Sequence, residues 1–265
     1  MFAYLNEPGV EGIGIAFTDR LGGASRGQFT SFNLGHTDED ELSALRTNMH
    51  RLRERLGIGP VCVVKQVHGT TIRTIDAGAA LAASEDAWLG DRVEGLAPLA
   101  RADAQVSTSG AVALAVRVAD CVPVLLADEA THAIAAVHAG RVGLLSGVLQ
   151  AAVGAMRAHG ARTLVAWVGP HICGRCYEVP AAMQEQACAV IPALRATTSW
   201  GTPSLDLGAG AQDVLEREAV QVHRLDPCTR TDARFFSHRG DHGRTGNQIG
   251  LIWRVAGHVG PAAAG

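Results

Sequence analysis

Two imidazoles and one thiol, His68, Cys121 and His138, are the residues whose types and settings could do metal chemistry. Each stands at the edge of an apolar, strand-like run: His68 after VVKQV, Cys121 after AVRVAD, His138 after AIAAV. Strand ends and the loops beyond them are where a rigid scaffold builds a site. One thiolate and two imidazoles suit zinc or copper. Three protein ligands leave a fourth position open, as in a catalytic site rather than a closed structural one. The ligands lie 53 and 17 residues apart, which is no short metal motif, so spacing alone leaves core or capping roles open for each. Cys121 and His138 also read as a nucleophile and its base. Gln66, two residues before His68, shares a strand face with it and reaches the same place. Asp120, next to the cysteine, reads either as a carboxylate orienting a ligand imidazole or as the cap of a turn.

The elements that must carry these residues read as follows. IGIAF at 13–17 is a strand. Residues 38–57 form a helix: Asp38 is the N-cap, Leu42, Leu45, Met49, Leu52 and Leu56 recur at helical spacing, and Gly57 stops it. VCVVKQVHG at 61–69 is a strand running out to a polar end. Residues 76–100 are loop with a little helix. AVALAVRV (111–118), CVPVLLAD (121–128) and THAIAAVHAG (131–140) are strands, the last two joined as a hairpin around Glu129 and Ala130. Helices follow over Gly143–His159, 179–194 and 206–220, with a strand at 162–169. Hairpins mixed with helices predict an α+β or mixed layered fold in one domain spanning 1–265, with a frayed tail from about 256.

Composition sets bounds. A 47% hydrophobic share allows a large core, and 31 glycines imply many turns and close backbone approaches. With 23 basic and 26 acidic residues, the net charge of −3 argues against broad nucleic-acid or membrane binding by charge alone. Lys65 is the only lysine, so nearly all positive charge is arginine. The start, MFAYLNEPGVEGIG, has no basic region before an apolar run, and no stretch is long enough to span a membrane. A cytoplasmic location follows as the expectation, and the six cysteines then form no disulfide framework. The pair Cys173 and Cys176 has the C-x-x-C spacing of a redox couple or half a zinc site, but no second such pair completes it. Structure is the main role expected of it.

Seven motifs occur in order: TDRLGGAS (18–25), SFNLG (31–35), QVHG (66–69), ADCVPVLL (119–126), VHAG (137–140), GPHICGRCYEV (169–179) and SHRGDHGRTG (237–246). Together they resemble the laccase-like polyphenol oxidase family over residues 13 to about 252. That family includes zinc-dependent purine nucleoside phosphorylases and a peptidoglycan editing factor. The resemblance implies a single α+β domain of mixed sheets flanked by helices, similar to the catalytic domain of cytotoxic necrotizing factor. It implies one zinc ion, or copper in the same site, on His68, Cys121 and His138. The implied activity is phosphorolysis of adenosine, inosine, guanosine or methylthioadenosine, with adenosine deamination beside it. The implied partners are small purine nucleosides and phosphate, with no nucleic acid or membrane, and the chain is expected to be a monomer.

For phosphorolysis, arginine forks suit phosphate, and Arg20, Arg239 and Arg141 are the candidates. Ser31 and Asn33 would hydrogen-bond sugar or phosphate, or else form a plain turn. Cys176, Tyr177 and Glu178 would be pocket wall. The chain departs from the family at one place: where His-Ala-Gly-Trp-Arg-Gly is usual, it has His138-Ala139-Gly140-Arg141-Val142-Gly143. Competing readings are a copper phenol oxidase, a Cys-His hydrolase and a cell-wall editing factor. Eleven histidines with no His-x-His pair argue against a conventional multicopper laccase.

Overall fold

The computed structural model describes residues 1–6, 9–76, 85–109, 112–225 and 227–255. The tail expected to fray from about 256 lies outside them. The strands, in chain order, are β1 (Phe2–Leu5), β2 (Ile13–Thr18), β3 (Val61–Cys62), β4 (Ile72–Ile75), β5 (Ala104–Ser107), β6 (Ala113–Val118), β7 (Val122–Asp128), β8 (Ile134–Ala139), β9 (Leu164–Val168), β10 (Arg195–Thr197), β11 (Pro203–Leu205), β12 (Gln221–Arg224) and β13 (Gln248–Arg254). The helices are α1 (Leu42–Leu56), α2 (Arg141–Leu145), α3 (Val148–Ala158), α4 (Ala181–Val190) and α5 (Leu207–Arg217).

Alternation along the strands sets the layers, because neighbouring strand residues face opposite ways. In β7, Val122, Val124 and Leu126 pack with α2, α3, α4 and α5, while Leu125 and Ala127 join Ile15, Phe17, Leu114 and Val116 of the other sheet. In β13, Leu251 and Trp253 face Leu45, Met49 and Leu52 of α1, while Ile252 faces inward. Both sheets are therefore covered on both faces, and β6 to β9 read as near-continuous apolar runs for that reason, broken only by Arg117, Asp128 and His138. The order through the molecule is helix α1, a five-stranded sheet β1-β2-β13-β6-β3, a six-stranded sheet β12-β9-β7-β8-β5-β4, then the remaining helices. Both sheets are mixed: β3–β6, β4–β5 and β9–β12 are parallel pairs and the others antiparallel. Phe17 fills the space between the sheets, and a Cβ at Gly169 would sit 2.1 Å from its ring. Burying such a ring contributes about 1.5–3 kcal/mol.

The fold is thus a mixed α and β architecture of mixed sheets flanked by helices, with local differences from the sequence reading. Helix α1 begins at Leu42 behind Glu41, and Asp38 is left out at the surface beside Arg92. Gly57 ends the helix in the left-handed conformation, φ 63°. The helix expected over Gly143–His159 starts earlier and is cut in two at Gly147, whose φ of 93° no helix interior accepts. The strand expected through His68 stops at Cys62; His68 has φ 60°, so Gln66 and His68 do not share a strand face. Strands β1, β4, β5, β10, β11, β12 and β13 had no counterpart in the reading. No described helix is long and apolar enough to cross a membrane.

Candidate metal centre and cavity

The step from β6 to β7 carries the chain from one sheet to the other through Ala119, Asp120 and Cys121. Asp120 takes φ 92° there, outside strand conformation. That carboxylate accepts from Thr229 Oγ1 at 2.6 Å, Ser237 Oγ at 2.8 Å and the Arg239 amide at 2.6 Å. Asp120 is therefore the cap of the 237–240 turn, not the partner of a ligand imidazole.

That partner is Asp103, one residue before β5 and beside His138 on the antiparallel neighbour β8. Its fully buried carboxylate accepts from His138 Nδ1 at 2.9 Å. It also accepts from the amides of Val67 at 3.1 Å, His68 at 2.8 Å and Gly69 at 2.7 Å. Burial alone would raise this carboxyl, but the hydrogen bonds from His138, Gly69 and His68 outweigh it and hold the pKa below the usual range. One buried carboxylate thus shapes the loop that carries His68 and orients the His138 ring. With Nδ1 donating to Asp103, Nε2 of His138 is left to face the site.

The ligand atoms of His68, Cys121 and His138 all lie within 4.8 Å of one another. The Cys121 sulfur is 3.9 Å from His68 Nε2, and the two imidazoles meet edge to face with centroids 4.8 Å apart. Burial would raise the Cys121 thiol, yet the hydrogen bonds and charge of His138 and His68 bring it down to about 6. Burial would lower His138, yet Asp103 and Cys121 raise it to about 9. The chain following β8 completes the cradle: a Cβ at Gly140 would stand 2.8 Å from His68 Cδ2 and 3.1 Å from the Cys121 sulfur. Donor set, spacing and the enforced glycine together fit a metal ion of the zinc or copper kind.

The trio opens into a cavity of about 440 Å³, whose wall includes Gln66, Arg117, Arg141, Tyr177, His238 and Arg239. Gln66 is locked to the Arg117 backbone: its Nε2 donates to the carbonyl at 2.8 Å and its Oε1 accepts from the amide at 2.9 Å. Arg239 donates to the Glu178 carbonyl at 2.9 Å and lies over the Tyr177 ring at 5.1 Å. Arg141 is among the residues of the cavity wall, while Val142 beside it is exposed. Arg117 donates to the carbonyls of Leu34 at 3.0 Å and Trp88 at 2.6 Å. Burial, with Arg92 nearby, lowers its pKa to about 9, so it stays charged at neutral pH. None of the three arginines forms an ion pair among the described residues.

His68, Cys121, His138, Gln66 and Arg239 are thus brought together, and Tyr177 joins their wall. Arg20, Ser31 and Asn33 are not among the residues lining the cavity. Arg20 donates to the carbonyls of Thr30, Gln28 and Phe235 and stacks on Phe236 at 4.4 Å. Ser31 Oγ accepts from Gly23 and donates to the Arg20 carbonyl. Asn33 is fully buried; its amide donates to Asp40 and its oxygen accepts from the amides of Gly35 and Asn247. Sequence reasoning missed Asp103 and Arg117. A lone arginine inside AVALAVRV was a visible signal for Arg117, since buried arginines need a reason. Asp103 lies 35 residues from both His68 and His138 and had no local signal.

A family model described as multi-copper polyphenol oxidoreductase laccase matches residues 14–255. A protein of Streptomyces coelicolor named purine nucleoside phosphorylase is 44% identical over 249 residues, covering 92% of this chain and 96% of that one. A Streptomyces griseus protein of the same name is 39% identical over 243 residues, covering 90% and 93%. Among solved structures, a Neisseria meningitidis protein superposes with TM-score 0.79 at 34% identity, covering 96% of this chain and 98% of that one. YlmD from Geobacillus stearothermophilus superposes with TM-score 0.76 at 26% identity, covering 92% and 93%. With residues 14–255 matched, the fold shared with solved structures and the His-Cys-His cluster assembled, the chain belongs to the multi-copper polyphenol oxidoreductase laccase family.

Proposed function

We propose that the chain is a zinc-dependent purine nucleoside phosphorylase with adenosine deaminase activity at the same centre. The observation that carries this reading is the cavity itself, where a metal-ligand trio stands beside Arg117, Arg141 and Arg239, none of them ion-paired among the described residues. Such a wall suits an anion, and guanidinium forks suit phosphate. The names of the Streptomyces relatives support it.

In this reading Arg239 and Arg141 hold phosphate beside C1′ of the ribose, with Arg117 adding charge from behind. A phosphate oxygen forms the bond to C1′ as the C1′–N9 bond breaks, and the departing purine takes up a proton. His68, Cys121 and His138 hold the ion, and when bound it supplies a Lewis-acid centre at the base end. Asp103 keeps His138 in one tautomer and orientation, and Tyr177 and Ile172 close the wall against water.

The deciding experiment incubates zinc-loaded protein with adenosine, with and without phosphate, and separates the products. Phosphate-dependent adenine and ribose-1-phosphate, lost in His68→Ala, are expected. Inosine alone would leave only the deaminase, and no turnover would sink the reading. A second reading has one observation in its favour: the Cys121 sulfur lies within 4.8 Å of the His138 ring nitrogen, the pairing of a Cys-His hydrolase, and the two histidines bring its thiol down to about 6. Under that reading a chelator raises activity; under the first it abolishes it.

A further inference from the structure

A second group of metal-ligating side chains lies away from the cavity trio. Cys173, Cys176 and Cys228 bring their three sulfurs within 4.8 Å of one another, although Cys228 is 55 residues from Cys173. All three are free thiols. Two short turns build the group. In the first, the amides of Cys176 and Tyr177 donate to the Cys173 carbonyl at 2.9 and 3.0 Å. In the second, the amides of Thr231 and Asp232 donate to the Cys228 carbonyl at 3.2 and 3.0 Å.

The turns are held face to face by a parallel bridge between His171 and Cys228. The Thr229 amide donates to the His171 carbonyl at 3.0 Å, and the Cys173 amide donates to the Cys228 sulfur at 3.4 Å. An amide aimed at sulfur is the support a thiolate ligand receives around a metal. A C-x-x-C turn offers two sulfurs to one ion, and the facing turn offers the third.

We propose that Cys173, Cys176 and Cys228 bind a thiophilic metal ion, zinc(II) or copper(I), separate from the ion of the cavity trio. Three thiolates suit a soft closed-shell ion. Cys173 and Cys228 are only partly buried, which leaves a zinc ion room for one exogenous fourth ligand. Binding moves no electrons: each thiol releases its proton to solvent as its sulfur–metal bond forms.

The ion ties together two parts of the cavity wall. Ile172 and Tyr177, on either side of the C-x-x-C turn, both line the cavity. Thr229, next to Cys228, donates to Asp120, which in turn accepts from the Arg239 amide. The site is therefore a structural clamp on the wall that carries Arg239, and it stands whether or not the phosphorylase reading does.

The test is elemental analysis of protein purified from zinc- or copper-supplemented cells, with thiol counting and mass measurement on the same sample. Two ions per chain are expected, one for each cluster. Cys228→Ser and His68→Ala should each retain one, and the element in His68→Ala identifies the ion as zinc or copper. Cadmium added to metal-free wild-type protein should produce a thiolate charge-transfer band with the intensity of four sulfurs, most of it lost in Cys173→Ser. A single ion that disappears in His68→Ala would overturn the proposal, as would a disulfide among the three cysteines in freshly purified protein. Should the serine variants fail to fold, the wild-type cadmium band decides alone: the intensity of one thiolate overturns the proposal.

Discussion

Asp103, one residue before β5, faces His138 on the neighbouring strand β8, and one carboxylate oxygen of Asp103 meets Nδ1 of His138 at 2.9 Å while also accepting the His68 amide at 2.8 Å. A single buried group therefore positions two of the three ligands, one through its ring and the other through its backbone. Replacing it with an amide of the same shape puts a donor where an acceptor is needed. Asp103→Asn is expected to weaken metal binding by about 10–100-fold, the usual cost of losing a carboxylate behind a ligand histidine. Chelator competition measures this; unchanged affinity would show that the carboxylate serves only the loop.

Gly140 allows the chain to pass against the cluster. Gly140→Ala would press a methyl to within 2.8 Å of His68 Cδ2 and 3.1 Å of the Cys121 sulfur. The expected result is loss of metal affinity of at least tenfold, with destabilisation of the metal-free fold by about 1–3 kcal/mol. Calorimetric titration and thermal unfolding read the two effects separately.

Metal affinity should rise with pH. In the metal-free protein His138 is raised to about 9 and Cys121 lowered to about 6, so between these values they stand as imidazolium and thiolate. A metal takes the thiolate and a neutral imidazole, so binding expels the His138 proton. Between pH 6 and 9 this proton makes affinity rise about tenfold per unit; below 6 the thiol proton steepens the slope. Competition titrations across that range check the sign, and a flat profile would contradict it.

Arg239 and Arg20 give a contrasting pair. Arg239→Ala removes a guanidinium from the cavity wall and is expected to raise the KM for phosphate about tenfold or more with metal content unchanged, since a charge-assisted contact contributes about 1.5–3 kcal/mol. Arg20→Ala removes three donations to backbone carbonyls and a stack on Phe236. The expected result there is a fall in stability of about 1–3 kcal/mol with little change in phosphate KM. Equal effects on phosphate KM would return Arg20 to the anion site.

The chain's own order of residues determined a good deal. Apolar runs of strand length at 111–118, 121–128, 131–140 and 162–169 are legible as strands, and their near-continuous apolar character agrees with the burial of both faces that the sheets provide. The helical spacing of Leu42, Leu45, Met49 and Leu52 specifies α1, while type and position at run ends left His68, Cys121 and His138 open between ligand and core or capping roles, and the resemblance carried by the seven ordered motifs selected them as ligands. What the tertiary structure alone decided is which distant groups meet. Short strands such as β3 and β4 carry too few residues for a period to show, so their pairing waits on partners elsewhere in the chain. Asp103 lies far from both residues it serves, and only the antiparallel register of β5 with β8 brings it to His138. Asp120, at φ 92°, holds the Arg239 loop through its carboxylate, while Cys121 beside it joins the cluster. Cys173, Cys176 and Cys228 become one group only because a parallel bridge lays two loops side by side. Residue type is local and can be read along the chain; convergence depends on register and chain crossings, which packing sets for the molecule as a whole.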